Sequence, residues 1–160
     1  MKTIEIKSII HEYSSLDELS PESKNLCALA LEAAKTAYAP YSKFQVGATI
    51  MLENGVVVKG SNQENMAYPS GLCAERVALF YANSTYPDQA VEAIAVTAIH
   101  NGSQVDYPIS PCGSCRQVIA ETKQRFNKKI KILLYSSSKI LEISDSDTLL
   151  PLSFVMDDSE

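Results

Sequence analysis

From about residue 20 onward, hydrophobic and polar positions alternate between helical and strand periodicity. Ser20-Pro21-Glu22 supplies an N-cap, a proline at the first helical position and an acid in the first turn. Leu26, Leu29, Ala30, Ala33 and Ala37 then recur at spacings of three and four, which predicts an amphipathic helix running to about Tyr38 and stopped by Pro40. Cys27 lies at the edge of that face and reads as a small buried side chain rather than a ligand. Gln45 to Leu52 is apolar and β-branched, Asn54-Gly55 reads as a two-residue turn, and Val56-Val57-Val58 returns as the second arm of a hairpin.

The chain leaves that hairpin at Gly60 and enters Ser61-Asn62-Gln63-Glu64-Asn65, a polar run suited to a ligand rich in hydroxyls, or simply to a solvated loop. Cys73 opens a second helix, with Val77, Phe80 and Tyr81 at helical spacing as far as about Asn83. Glu92 to Ile99 reads as a strand from the middle of a sheet. Pro111 precedes a third helix whose Val118, Ile119, Thr122 and Phe126 face the core. Ile130 to Tyr135 and Lys139 to Ile143 are two further strands, and Asp147 to Leu150 turns before Pro151. Residues 3 to 13 alternate loosely, as a short strand or an ordered arm. The order predicts an α/β fold in which a mixed five-stranded sheet is covered by helices.

At 160 residues the chain is expected to form one domain, residues 1–160, with residues 1–20 as an N-terminal extension. A chain of this size buries roughly 68–70% of its unfolded surface, so a metal would not be needed merely to fold it. The net charge of -5 and pI near 5.1 argue against nucleic acid as a partner. The basic run from Lys123 to Lys131 reads as cations at and beyond a helix C-terminus. Charges interrupt Met1 to Lys7 where a signal peptide needs an apolar stretch, and no segment approaches the ~20 apolar residues of a membrane span. A cytoplasmic location is therefore expected, and four cysteines there are metal ligands or core residues rather than a disulfide framework.

Chemistry concentrates in Cys73-Ala74-Glu75-Arg76 and Pro111-Cys112-Gly113-Ser114-Cys115-Arg116-Gln117. Cys73, Cys112 and Cys115 can supply three tetrahedral Zn²⁺ ligands, leaving a fourth position open as in catalytic zinc sites. Both clusters sit where a loop enters a helix, and helix N-termini stabilise thiolates. Three thiolates on Zn²⁺ leave the site at net charge -1, which Arg76 and Arg116 are available to compensate. Glu75, two residues from a ligand, lies within reach of a metal-held water and is the expected general acid/base. A structural zinc or protein-interaction module is the competing possibility, and it needs a fourth ligand. Cys27, His11 and His100 are the available residues, and none sits in a ligand-like pair.

With these residues in view, the sequence resembles the small, three-cysteine cytidine deaminases. The likeness extends to Tyr41-Ser42-x-Phe44-x-Val46-Gly47-Ala48 and to Gly60-x-Asn62-x-Glu64-Asn65, and spans roughly residues 22 to 154. It implies a three-layer α-β-α sandwich and one Zn²⁺ per subunit. It also implies deamination of cytidine and 2′-deoxycytidine in pyrimidine salvage, by a homotetramer with shared active sites. Glu75 would move the proton, Asn62 and Glu64 would hold the ribose 3′-hydroxyl, Phe44 would pack on the nucleoside, and the Ala74 backbone would fix the base. Phe154 resembles an aromatic that a neighbouring subunit places against the base, and Tyr68 a tyrosine at subunit contacts. Pro69, in Met66 to Gly71, departs from the usual less constrained link. A blasticidin S deaminase shares the cysteines and glutamate, but Asn62 with Glu64 favours a ribose. A nucleic-acid editing deaminase fits poorly with the acidic chain.

Overall fold

The computed structural model describes residues 1–155, and a single mixed sheet with helices on both faces organises them. In chain order the elements are β1 (Ile10–Tyr13), α1 (Pro21–Ala34), β2 (Phe44–Leu52), β3 (Val57–Ser61), α2 (Ala74–Thr85), β4 (Val91–His100), β5 (Ser103–Gln104), α3 (Gly113–Phe126), β6 (Lys131–Tyr135) and β7 (Ile140–Ile143). Across the sheet the strands run β1-β7-β6-β4-β2-β3, with β5 paired to the end of β4. β4 and β6 are parallel, joined through α3, and the other pairs are antiparallel.

The sheet has seven strands rather than the expected five. Both additions are short and depend on a partner. β1 is the end of the loosely alternating stretch of residues 3 to 13, and only Ile10–Tyr13 pairs, through the ladder from Ile10↔Ile143 to Tyr13↔Ile140. β5 forms because Asn101 and Gly102, both with positive φ (51° and 80°), fold the chain back so that His100 faces Ser103. That is the two-residue Asn-Gly turn expected at Asn54-Gly55. At the latter site only Gly55 takes positive φ, its N–H bonds to Leu52 O at 2.8 Å, and Leu52 N–H bonds to Val56 O, so Glu53 to Gly55 make a three-residue loop.

Helix α1 stops at Ala34, four residues before Tyr38. Tertiary pairing decides this: Tyr38 N–H donates to Asn62 O at 3.0 Å, and Tyr38 O accepts from Glu64 N–H at 2.8 Å. An extended Tyr38 is thereby tied to the polar loop instead of to the previous helical turn.

Alternation along β4 sorts the two faces. Ala93 and Ala95 meet Leu26, Cys27 and Ala30 of α1, together with Leu133 and Ile140. Ile94 and Val96 meet Ala78 and Leu79 of α2 and Ile119 of α3, with Ile50, Leu52, Ile132 and Leu134 filling the same layer. Cys27 is fully buried, and burial pushes its thiol up to about 12, in keeping with a core residue. Gly60 lets α2 approach closely: a Cβ there would lie 2.6 Å from Ala74 O and from Ala78 N. The basic run is largely paired at the surface, Lys123 with Asp145 and Asp147 and Lys128 with Glu53.

Candidate active site

The two cysteine segments converge because α2 and α3 lie on the same face of the sheet and begin at the same end of the molecule. Cys73 is the N-cap of α2 and Cys112 the N-cap of α3, while Cys115 sits in the first turn of α3. Neither cap side chain accepts a backbone N–H of its own helix, so both sulfurs are left to face the cluster at the helix ends. Cys73 Sγ is 3.7 Å from Cys112 Sγ, Cys112 Sγ is 3.5 Å from Cys115 Sγ, and the three lie within 4.8 Å of one another. A tetrahedral site with Zn–S of about 2.3 Å needs sulfurs about 3.8 Å apart. The donor set therefore fits zinc in both chemistry and spacing.

Neighbours set the charge of this cluster. The hydrogen bond from Cys115 is the largest influence on Cys73 and, with Arg76 and Cys112, outweighs burial to bring its thiol down to about 5. Cys115 is correspondingly pushed up, first by that same bond and then by burial. Arg76 Nη2 donates to Cys73 Sγ at 3.9 Å, whereas its buried Nε has no partner among the described residues. Arg116 is placed differently: Nε donates to Pro111 O and Nη1 to Leu149 O, each at 2.8 Å. It ties the segment before Cys112 to the C-terminal segment by backbone carbonyls.

Glu75 is 3% exposed. Burial raises its carboxyl pKa, and the Cys73 thiolate adds to the effect. A carboxyl that holds its proton more tightly is suited to proton transfer near neutral pH. It forms part of the wall of a cavity of about 730 Å³ together with Cys73, Arg76 and Cys112.

The opposite wall comes from the polar loop. Gln63 and Leu72 exchange N–H···O bonds of 2.9 Å, which closes residues 64–71 into an excursion and sets the loop against the start of α2. Pro69 lies within a short 3₁₀ turn, Tyr68–Ser70, on that excursion. Glu64 lines the cavity, its carboxylate accepting Tyr41 N–H at 2.9 Å, Ser42 N–H at 3.3 Å and the Ser42 hydroxyl. The Ser42 hydroxyl is the first cause holding Glu64 below the usual carboxylate range. Asn62 braces β2, accepting Val46 N–H at 2.7 Å and donating to Phe44 O at 3.0 Å.

Of the residues singled out by sequence, Phe44, Asn62, Glu64, Tyr68, Cys73, Glu75, Arg76 and Cys112 all line this cavity. Ala74 is buried at the start of α2, and Cys115 is buried among the sulfurs. Tyr68 is 82% exposed at the cavity rim. Phe154 stands outside the lining, 73% exposed, its carbonyl accepting from Gln117 Nε2 at 2.7 Å. His11 and His100 are exposed, and neither belongs to the sulfur cluster. Tyr41, Ser42, Val46, Leu72, Ile109 and Ser110 also line the cavity without a role read from sequence. For Ser42 a signal existed, a hydroxyl two residues before Phe44; for Ile109 and Ser110 only folding reveals it.

This is the machinery of a metal-assisted hydrolase on an α/β scaffold. The family model for the cytidine and deoxycytidylate deaminase zinc-binding region matches residues 20–130. The cytidine deaminase of Sporosarcina psychrophila is 40% identical over 135 residues, which is 84% of this chain and 93% of that protein. The cytidine deaminase of Halalkalibacterium halodurans is 36% identical over 129 residues, or 81% and 91% of the respective chains. A crystal structure of cytidine deaminase from Burkholderia pseudomallei aligns with a TM-score of 0.70 at 36% identity, covering 81% of this chain and 97% of that one. The chain belongs to the cytidine and deoxycytidylate deaminase family, and it is an enzyme of the hydrolase class.

Proposed function

We propose that the protein deaminates cytidine and 2′-deoxycytidine hydrolytically, water replacing the C4 amino group to give the uridine nucleoside and ammonia. The observation that carries this is the buried Glu75 carboxyl beside three zinc-competent sulfurs on one cavity wall. When bound, zinc supplies the Lewis acidity that makes water a nucleophile near neutral pH. Cys73, Cys112 and Cys115 would hold it. Glu75 carries one proton from the attacking water to the pyrimidine N3 and a second, from the hydroxyl so formed at C4, to the departing amine, which leaves as ammonia. The Ala74 backbone fixes the base, Phe44 packs on the nucleoside, and Asn62 with Glu64 receives a ribose hydroxyl.

Charge favours a nucleoside over a nucleotide. Among the described residues the cavity lining has one cation, Arg76, already turned to sulfur, and Glu64 would repel a phosphate at the sugar end. A role in pyrimidine salvage and a cytoplasmic location accompany this activity; no helix among the described residues is long and apolar enough to cross a membrane. The assembly is a homotetramer in which Phe154 reaches a neighbour's site and Tyr68 lies at a subunit contact. Their outward-facing aromatic side chains support that arrangement. The one-domain reading is supported by a sheet that draws strands from residue 10 to residue 143.

The test is ammonia release from zinc-loaded protein with cytidine, 2′-deoxycytidine, free cytosine and blasticidin S, run beside Glu75→Gln. Cytidine and deoxycytidine should be turned over, and the variant should lose on the order of 10²–10⁴-fold. Activity confined to blasticidin S, or retained in Glu75→Gln, would contradict the proposal.

A further inference from the structure

We propose that Ser42 is a positioning residue for substrate recognition, its hydroxyl joining the Glu64 carboxylate and the Phe44 backbone into one hydrogen-bonded unit facing the sugar. The inference rests on the nucleoside-deaminase reading above and assigns a residue which that reading leaves without a role.

The argument is one of hydrogen-bond capacity. A carboxylate offers about four acceptor positions. Glu64 Oε2 receives two N–H groups, from Tyr41 at 2.9 Å and Ser42 at 3.3 Å, while Oε1 receives the Ser42 hydroxyl alone. The remaining acceptor position therefore belongs to the oxygen that Ser42 holds. Asn62 has likewise committed one lone pair to Val46 N–H and one N–H to Phe44 O. It keeps one donor and one acceptor. The Glu64 acceptor and the Asn62 donor together complement a single hydroxyl group, with one Asn62 acceptor left over.

Ser42 makes this arrangement rigid from both sides. It has one hydroxyl proton, which goes to Glu64, and its oxygen accepts Phe44 N–H at 3.0 Å. The chain Phe44 N–H to Ser42 Oγ–H to Glu64 thus connects the cavity's aromatic ring to its sugar-facing carboxylate, and hydrogen bonds in series reinforce one another. Lys43, between them, sits in the left-handed region at φ 58°, and its N–H bonds to Ala39 O at 3.1 Å. Ser42 is itself exposed, so losing its hydroxyl does not open the core.

The experiment measures kcat and KM for cytidine, and the inhibition constant of 2′,3′-dideoxycytidine against it, for zinc-loaded wild type, Ser42→Ala and Ser42→Thr. The dideoxynucleoside lacks both sugar-ring hydroxyls. Ser42→Ala should raise KM for cytidine about tenfold, the scale of one hydrogen bond to a charged group, with kcat within about twofold of wild type. Its inhibition constant for the dideoxynucleoside should stay within about twofold, and Ser42→Thr should recover cytidine KM. Equal losses with both ligands, a loss confined to kcat, no loss at all, or no recovery by threonine would overturn the role of Ser42 alone. A wild type that fails to deaminate cytidine would overturn the functional reading with it.

Discussion

Arg76 Nη2 stands 3.9 Å from Cys73 Sγ, while both recorded donors of Arg116 are spent on backbone carbonyls of Pro111 and Leu149. The two arginines that follow the cysteine motifs therefore do different work. Zinc loading and turnover separate them. Arg76→Ala should keep zinc bound but lower kcat by about 10–100-fold, the usual cost of removing a group that hydrogen-bonds a metal ligand. Arg116→Ala should act mainly on stability, through the loosened C-terminal segment. Unchanged turnover in Arg76→Ala would remove its assigned role.

Removing the metal should leave the sheet folded. The cluster occupies two helix N-termini, whereas the core of Ile50, Ile94, Ile132 and Leu134 lies beneath α2 and α3 and does not use the sulfurs. Chelation is expected to abolish activity and lower the melting temperature, since zinc stabilises only by binding the native state, with far-ultraviolet circular dichroism nearly unchanged. Lowering the pH should release zinc, because protons compete for the thiolates. Global unfolding on chelation would show a structural rather than catalytic metal.

Gly60→Ala should damage both stability and activity. The new Cβ would press on the Ala74 carbonyl oxygen and the Ala78 nitrogen at 2.6 Å, and backbone cannot swing aside as a side chain can. Overpacking of this kind costs about 1–3 kcal/mol. The displaced element is the helix that carries Glu75 and is capped by Cys73, so kcat should fall even at temperatures where the variant remains folded. Thermal denaturation and steady-state kinetics on the same preparation check both outcomes.

Acid stability should depend on Asp145. Burial acts to raise its pKa, yet the Lys123 ammonium at 2.9 Å and the Asp147 N–H bring it below the ordinary range. A folded-state pKa below the unfolded value of about 3.9 means that stabilisation is complete above that pH and lost as pH falls through the folded value. Lys123 is raised despite burial, by Asp147 and Asp145, so its contribution persists below its unfolded value of about 10.4 and fades as pH rises through the folded one. Asp145→Asn should cost about 1 kcal/mol at pH 7, between a surface ion pair and a charged hydrogen bond. The difference should shrink toward pH 3 in denaturant titrations.

Local signals in the sequence determined much of this protein. Ser20-Pro21 starts α1, the apolar runs form β2, β4 and β6, and the spacing of Cys73, Cys112 and Cys115 with Glu75 announces a metal site, because each rests on short-range periodicity or ligand geometry. The tertiary structure alone decided the features that depend on distant partners. β1 exists only through β7, Tyr38 leaves the helical pattern to pair with Asn62 and Glu64, and the Asn-Gly turn of two residues falls at Asn101 rather than Asn54. The same is true of the site's finer chemistry. Cys73 and Cys112 are 39 residues apart, yet their sulfurs meet at 3.7 Å because α2 and α3 start side by side on one face of the sheet. Ser42 reaches Glu64 across 22 residues because the chain at Tyr38 has been pulled out of its helix to lie against the polar loop. A residue's spacing fixes what it can do, but the angle and partner of its hydrogen bonds depend on which backbone groups folding brings opposite it.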